Sequence, residues 1–291
     1  MSLAEPTPPV ANRLDPSSSP RLRPGFVVLY TVAWIGFYLA SLTPTLVSMA
    51  LKVNDLVGVE RGERYLGVIL GIGAFATLLT SPIFGRMSDR TVSRLGMRRP
   101  WLLVGALAGP PLALVCGIAT SIPVLALAYC VFALAMNAAH AALFAIMADK
   151  VPPAHRGTIS GTVGVTLPIG LVGGTALVAP LADSMVAVFV TPTLICSLVF
   201  LALGVRLDDR RLSRDERPPA GRWWTEVSDA FRFDVRKNSD FSWAWLSRLL
   251  IVLASAYLTT YQTFYLLDHL GSSKDDVPGQ VALSTAVLGA G

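Results

Sequence analysis

Residues 100–150 read PWLLVGALAGPPLALVCGIATSIPVLALAYCVFALAMNAAHAALFAIMADK, and no charge interrupts them before Asp149. A soluble fold has no use for so long a charge-free run, because its surface must meet water. A bilayer demands one. Outward from this stretch the pattern holds: residues 100–205 carry four charges, Asp149, Lys150, Arg156 and Asp183. Over all 291 residues, 53% are apolar and only 15% charged, against roughly 25% charged in a typical soluble domain. Together with a mean hydropathy of +0.57, this excludes a disordered tail, a disulfide scaffold and most soluble enzymes. Cys116, Cys130 and Cys196 lie singly inside apolar runs, which provides neither a disulfide framework nor metal-ligand spacing. No cofactor or metal site is expected. The net charge of +5 is spread over short loops between apolar spans, so it reads as membrane topology, and no nucleic-acid partner is expected.

A helix needs about 20 apolar residues to cross roughly 30 Å of hydrocarbon. Seven segments meet that test: 25–51, 66–85, 100–120, 123–147, 157–182, 184–207 and 241–268. An eighth begins after Pro278 and has only residues 281–291 before the chain stops. The expectation is a truncated chain that lacks most of a second helical bundle, which would be required to complete a cavity. With the N-terminus inside, cytoplasmic segments hold 19 Lys and Arg and outer segments four. That asymmetry predicts a cytoplasmic N-terminus. Residues 1–24, with six prolines and four serines, read as a disordered cytoplasmic leader. Residues 25–207 form a six-span bundle, 208–240 a charged cytoplasmic linker, and 241–291 the start of a second bundle. Between 206 and 240 lie 17 charges, and Trp224, Val227 and Phe231 recur there at helical spacing, which predicts a short amphipathic helix on the inner membrane surface. The fold class expected is an all-α polytopic membrane protein.

The most specific pattern lies between spans two and three: Gly85-Arg86-Met87-Ser88-Asp89-Arg90, then Arg94, then Gly96-Met97-Arg98-Arg99-Pro100. Asp89 ends a helix, where the dipole disfavours an anion. It needs a compensating partner, either a nearby arginine or the N-terminus of another helix. This Gly-x-x-x-Asp-Arg…Gly-x-Arg-Arg pattern resembles the signature loop of the major facilitator superfamily, with five residues instead of one between Arg90 and Gly96. The longer form is similar to that of the sucrose and glycoside-type cation symporters, as is the stretch 137–149, NAAHAALFAIMAD, and Leu42-Thr43-Pro44. The resemblance implies a six-helix bundle followed by a second one. It also implies that Gly85, Asp89, Arg90, Arg94, Gly96, Arg98 and Arg99 are elements of an inner gate, and that a small solute, a sugar or glycoside, moves with a coupling cation across the plasma (inner) membrane. One departure stands out. Where those symporters carry an acidic residue and an arginine in the fourth span, this chain has Ala133 and Phe144.

Polar residues inside a span face protein or water, not lipid. Span one has Tyr30, Trp34, Ser41 and Thr45; span four has Tyr129, Asn137 and His140; span seven has Arg248, Ser255, Thr259 and Gln262. Trp34, Asn137, His140, Arg248 and Gln262 are therefore candidates for the solute path, since aromatics beside hydrogen-bonding groups suit a sugar. Gly170 and Gly174, like Gly67 and Gly71, have the spacing of a small-residue face for close helix contact. Three rival readings are weaker. A proton-linked drug exporter of the same superfamily needs Gly-Pro in span five, where Leu167 precedes Pro168. A membrane enzyme has no nucleotide-binding loop and no zinc-protease helix to support it. A seven-span receptor fits the span count but not the charge asymmetry.

Overall fold

The computed structural model of the chain describes residues 24–213, 239–240, 242–251 and 253–254. The leader before residue 24, the amphipathic helix expected at 224–231, Gln262 and the eighth span lie outside the described residues. The chain divides into two compact units, residues 1–220 and 221–291. Among the described residues of the first unit, seven α-helices and no strand are found: α1 (Pro24–Thr43), α2 (Met49–Val57), α3 (Val59–Asp89), α4 (Arg99–Ile118), α5 (Ile122–Lys150), α6 (Pro153–Val178) and α7 (Met185–Arg206). A π-helical turn, Pro44–Ser48, joins α1 to α2, so the two run on as span one. Spans two to six are α3 to α7, and all six are long and apolar enough to cross a bilayer. The molecule is an all-α polytopic membrane protein.

Prolines mark the starts. Pro100, Pro123 and Pro153 occupy the first two positions of α4, α5 and α6, where a missing N–H leaves no intrahelical bond unmade. Ser184 opens α7 instead, its Oγ accepting from Ala187 N–H at 3.3 Å. Span two is longer than the expected 66–85 at both ends. Its apolar run measures the bilayer, whereas Glu60–Arg64 and Arg86–Asp89 can stay helical in water.

Five helix pairs organise the bundle: α4 packs between α5 and α7, α3 lies against α5, and α1 lies against α6 and α7. In an apolar solvent such packing depends on close approach more than on the hydrophobic effect. Gly170 of α6 meets α1 so tightly that a Cβ there would lie 2.6 Å from Tyr38 Cβ and 3.1 Å from the Leu39 amide nitrogen, and Gly174 sits against Thr43 Oγ1. This pair is a contact face. Gly67 and Gly71, by contrast, have nothing within 4 Å of a built Cβ among the described residues. Buried hydrogen bonds add direction: Tyr30 Oη donates to the Leu143 carbonyl at 2.8 Å, and Ser48 Oγ to the Val188 carbonyl at 2.9 Å.

Candidate functional site

The loop expected to form a gate is built around one buried cation. Arg98 is 5% exposed, and its guanidinium faces three partners. It meets Asp89 at 2.7 Å, donates through Nε to Asp149 at 2.8 Å and through Nη1 to Ser88 Oγ at 2.8 Å. The partner that Asp89 needs at its helix end is thus Arg98. Burial works to lower the pKa of the guanidinium, but the hydrogen bonds and charges of Asp149 and Asp89 override it and raise the value above the ordinary one. A permanent charge is thereby held between the ends of spans two and four. Of the other loop residues, Arg90 is half-buried and Arg94 exposed. Gly85 has nothing within 4 Å of a built Cβ among the described residues.

A segment that the sequence does not single out completes this arrangement. Where the chain leaves span six, Asp209 Oδ2 accepts the backbone N–H groups of Arg98 (2.7 Å) and Arg99 (2.8 Å). It caps α4, whose own N-cap residue supplies no side-chain cap. Met97 N–H donates to the Arg210 carbonyl at 3.1 Å, and Arg99 Nη2 donates to the Leu207 carbonyl. Gly96 permits this docking twice over. Its φ is +108°, in a region that L side chains avoid, and a Cβ there would strike the Asp209 carboxylate. Gly96→Ala is expected to cost about 2–3 kcal/mol, combining backbone strain with displacement of a charged cap. Thermal unfolding of the detergent-solubilised protein measures this, with Gly85→Ala expected near neutral.

The second feature is a cavity of about 590 Å³ within the bundle. Span one contributes Phe37, Ser41 and Thr45; span two contributes Thr77 and Ser81; span four contributes Tyr129, Asn137 and His140. Thr45 Oγ1 and Tyr129 Oη lie 2.9 Å apart, and Thr45 Oγ1 also donates to the Ser41 carbonyl at 2.6 Å. Ser41 Oγ is buried without a hydrogen-bond partner among the described residues. The His140 ring stacks on Phe37, with centroids 4.4 Å apart and an interplanar angle of 5°. Among the described residues, no carboxylate, lysine or arginine lines this space.

Of the path candidates, Asn137 and His140 are therefore brought together on one cavity wall. Trp34 is fully buried, edge-on to His140 at 5.4 Å, and lies outside the lining. Arg248 is exposed on a helical stretch of the second unit. The hydroxyls of span two, Thr77 and Ser81, are lining residues that the polar stripes of the sequence reading passed over.

A family model described as Major Facilitator Superfamily matches residues 26–291. The chain belongs to that superfamily, whose members are transporters. The Inner membrane symporter YicJ of Escherichia coli (strain K12) is 35% identical over 75 residues, a match spanning 26% of this chain and 15% of that protein. No solved structure matches significantly.

Proposed function

We propose that the chain forms one wall of an alternating-access transporter for a small neutral solute, a sugar or glycoside, moved together with a cation. The carrying observation is the cavity, which the described residues line with hydroxyls, an amide and aromatic rings and with no fixed charge. A sugar presents apolar ring faces and many hydroxyls, and such a lining answers both. A charged solute would meet no counter-charge from the described lining residues. The Arg98 clamp at one end of the same helices suits a gate that shuts the inner face. The 19 to 4 split of Lys and Arg supports an N-terminus in the cytoplasm. The partial relative's name, an inner membrane symporter, supports the plasma (inner) membrane and symport.

Among the described residues, His140 is the imidazole lining the cavity, a group able to bind and release a proton, which makes it the candidate for proton coupling from this chain. Uptake of radiolabelled sucrose and melibiose by proteoliposomes of the full-length protein, under imposed proton or sodium gradients, tests the reading. Gradient-driven accumulation of either sugar is expected. Uptake restricted to organic cations or anions would overturn it. If protons couple, His140→Ala abolishes the pH dependence of uptake; unchanged dependence in that variant removes His140 from the coupling step.

A further inference from the structure

Asn137 does more than line the cavity. Its side chain is engaged on every available edge by span two: Nδ2 donates to the Thr77 carbonyl and to Thr80 Oγ1, both at 3.1 Å, while Oδ1 lies 3.0 Å from Ser81 Oγ. These contacts fall where span two is least regular. Pro82 follows directly inside the helix and has no N–H to return to the Leu78 carbonyl. Just before it, three hydroxyls bond back to the backbone: Thr77 to the Ala74 carbonyl at 2.9 Å, Thr80 to Ala76 at 2.7 Å and Ser81 to Thr77 at 2.8 Å. Back-bonding of this kind, next to a proline, weakens the helical ladder and favours bending. The Ser81 hydroxyl has one proton and two acceptors within reach, the Thr77 carbonyl and Asn137 Oδ1. Exchange between them is therefore cheap.

The far end of the same helix carries Ser88 and Asp89, about 12 Å beyond Ser81. There it is tied again to span four, through Arg98 and Asp149. Span two is thus pinned to span four at two stations, one in the cavity and one at the gate, with the weakened turn at the cavity station.

We propose that Asn137 is a positioning residue for the inner gate: it pins span two to span four at a hinge formed by Thr77–Pro82, and a solute that takes over its amide frees the Asp89 end to swing. This rests on the reading of the 85–99 loop as a gate, but its test needs no transport. Ile146 is 1% exposed and lines the small pocket beside Arg98 and Asp149, so Ile146→Cys reports opening of the clamp through its alkylation by N-ethylmaleimide. Cys130 is replaced by serine, and the buried native Cys116 and Cys196 report general loosening, each site being read by mass spectrometry.

Asn137→Leu is expected to speed alkylation at position 146 at least fivefold and to leave Cys116 and Cys196 within twofold. Adding Pro82→Ala, which restores the missing N–H, should return the rate toward its starting value. Should Asn137→Leu fail to fold, Asn137→Ala removes the same amide and leaves the hydroxyls of the hinge in place, with the same expectation. An unchanged rate at position 146, or a parallel rise at all three sites, overturns the proposal. A rate that stays high with Pro82→Ala overturns the hinge. Failure of sugar uptake with the alkylation pattern intact would instead count against the transport reading.

Discussion

Arg98→Ala is expected to destabilise the first unit by about 3 kcal/mol, read as a fall in the unfolding temperature of the purified protein in detergent. Removing one partner of a buried ion pair costs about 3–5 kcal/mol, because the other charge is left uncompensated. Here the low end applies. The side chains of Asp89 and Asp149 are 59% and 44% exposed, so water can solvate both once the guanidinium is gone. What water cannot restore is the geometry. A single planar fork reaches the end of span two, the end of span four and the buried Ser88 hydroxyl together, and Lys at this position would reach one of the three. Arg98→Lys is therefore expected to recover less than half of the loss. The single changes Asp89→Asn and Asp149→Asn should each cost about 1 kcal/mol, as half-exposed hydrogen-bond acceptors do. Their effects should not add, since both act through the same cation.

Gly170→Val is expected to cost about 3 kcal/mol or more by the same measurement, while Gly173→Val three residues on changes little. The contrast comes from what a side chain would meet. At Gly170 the obstacle includes backbone, the Leu39 amide nitrogen at 3.1 Å and the Ile35 carbonyl oxygen at 3.3 Å. Backbone inside a helix cannot step aside as a flexible side chain can, so α1 and α6 must separate. Overpacking of a close interface costs about 1–3 kcal/mol even where side chains can yield. Gly173 has nothing within 4 Å of a built Cβ among the described residues. Should both variants unfold at the same temperature, the spacing of Gly170 and Gly174 would have no part in helix contact.

Much of this architecture is legible before any coordinates. The long uncharged run of residues 100–148 can only be bilayer-crossing helix, and Asp89 at a helix terminus announces a missing cation. The faces of the helices are harder to read. In water, a buried face differs in polarity from an exposed one. In a membrane, lipid and protein neighbours are equally apolar, so Leu102, fully buried, and Leu107, 64% exposed, look alike in sequence. Span two illustrates the cost. Its hydroxyls at Thr77, Thr80 and Ser81 can satisfy themselves on their own backbone anywhere in a helix, so they do not mark a cavity wall. Trp34 errs in the other direction: an aromatic at stripe spacing packs behind the wall instead of on it. Asp209 is hidden for another reason. Its partners lie about 110 residues earlier in the chain, and among the acids of a charged segment nothing local distinguishes the one that folds back.

The π-helical turn at Pro44–Ser48 has a consequence for how this sequence can change length. Bonds that reach one residue further than in an α-helix accommodate one extra residue in the turn. Losing a single residue there would restore a regular helix and leave the faces beyond it in place, whereas the same loss within α1 would rotate everything beyond it by about 100°. In that second case Ser48, bonded to the Val188 carbonyl, and Met49 and Val53, fully buried, would turn away from their partners. The same deletion in an ordinary surface loop would pass unnoticed. Within this span the number of residues is itself under constraint, independently of which residues they are, and a library of one-residue deletions should show a tolerant window at 44–48 beside an intolerant α1.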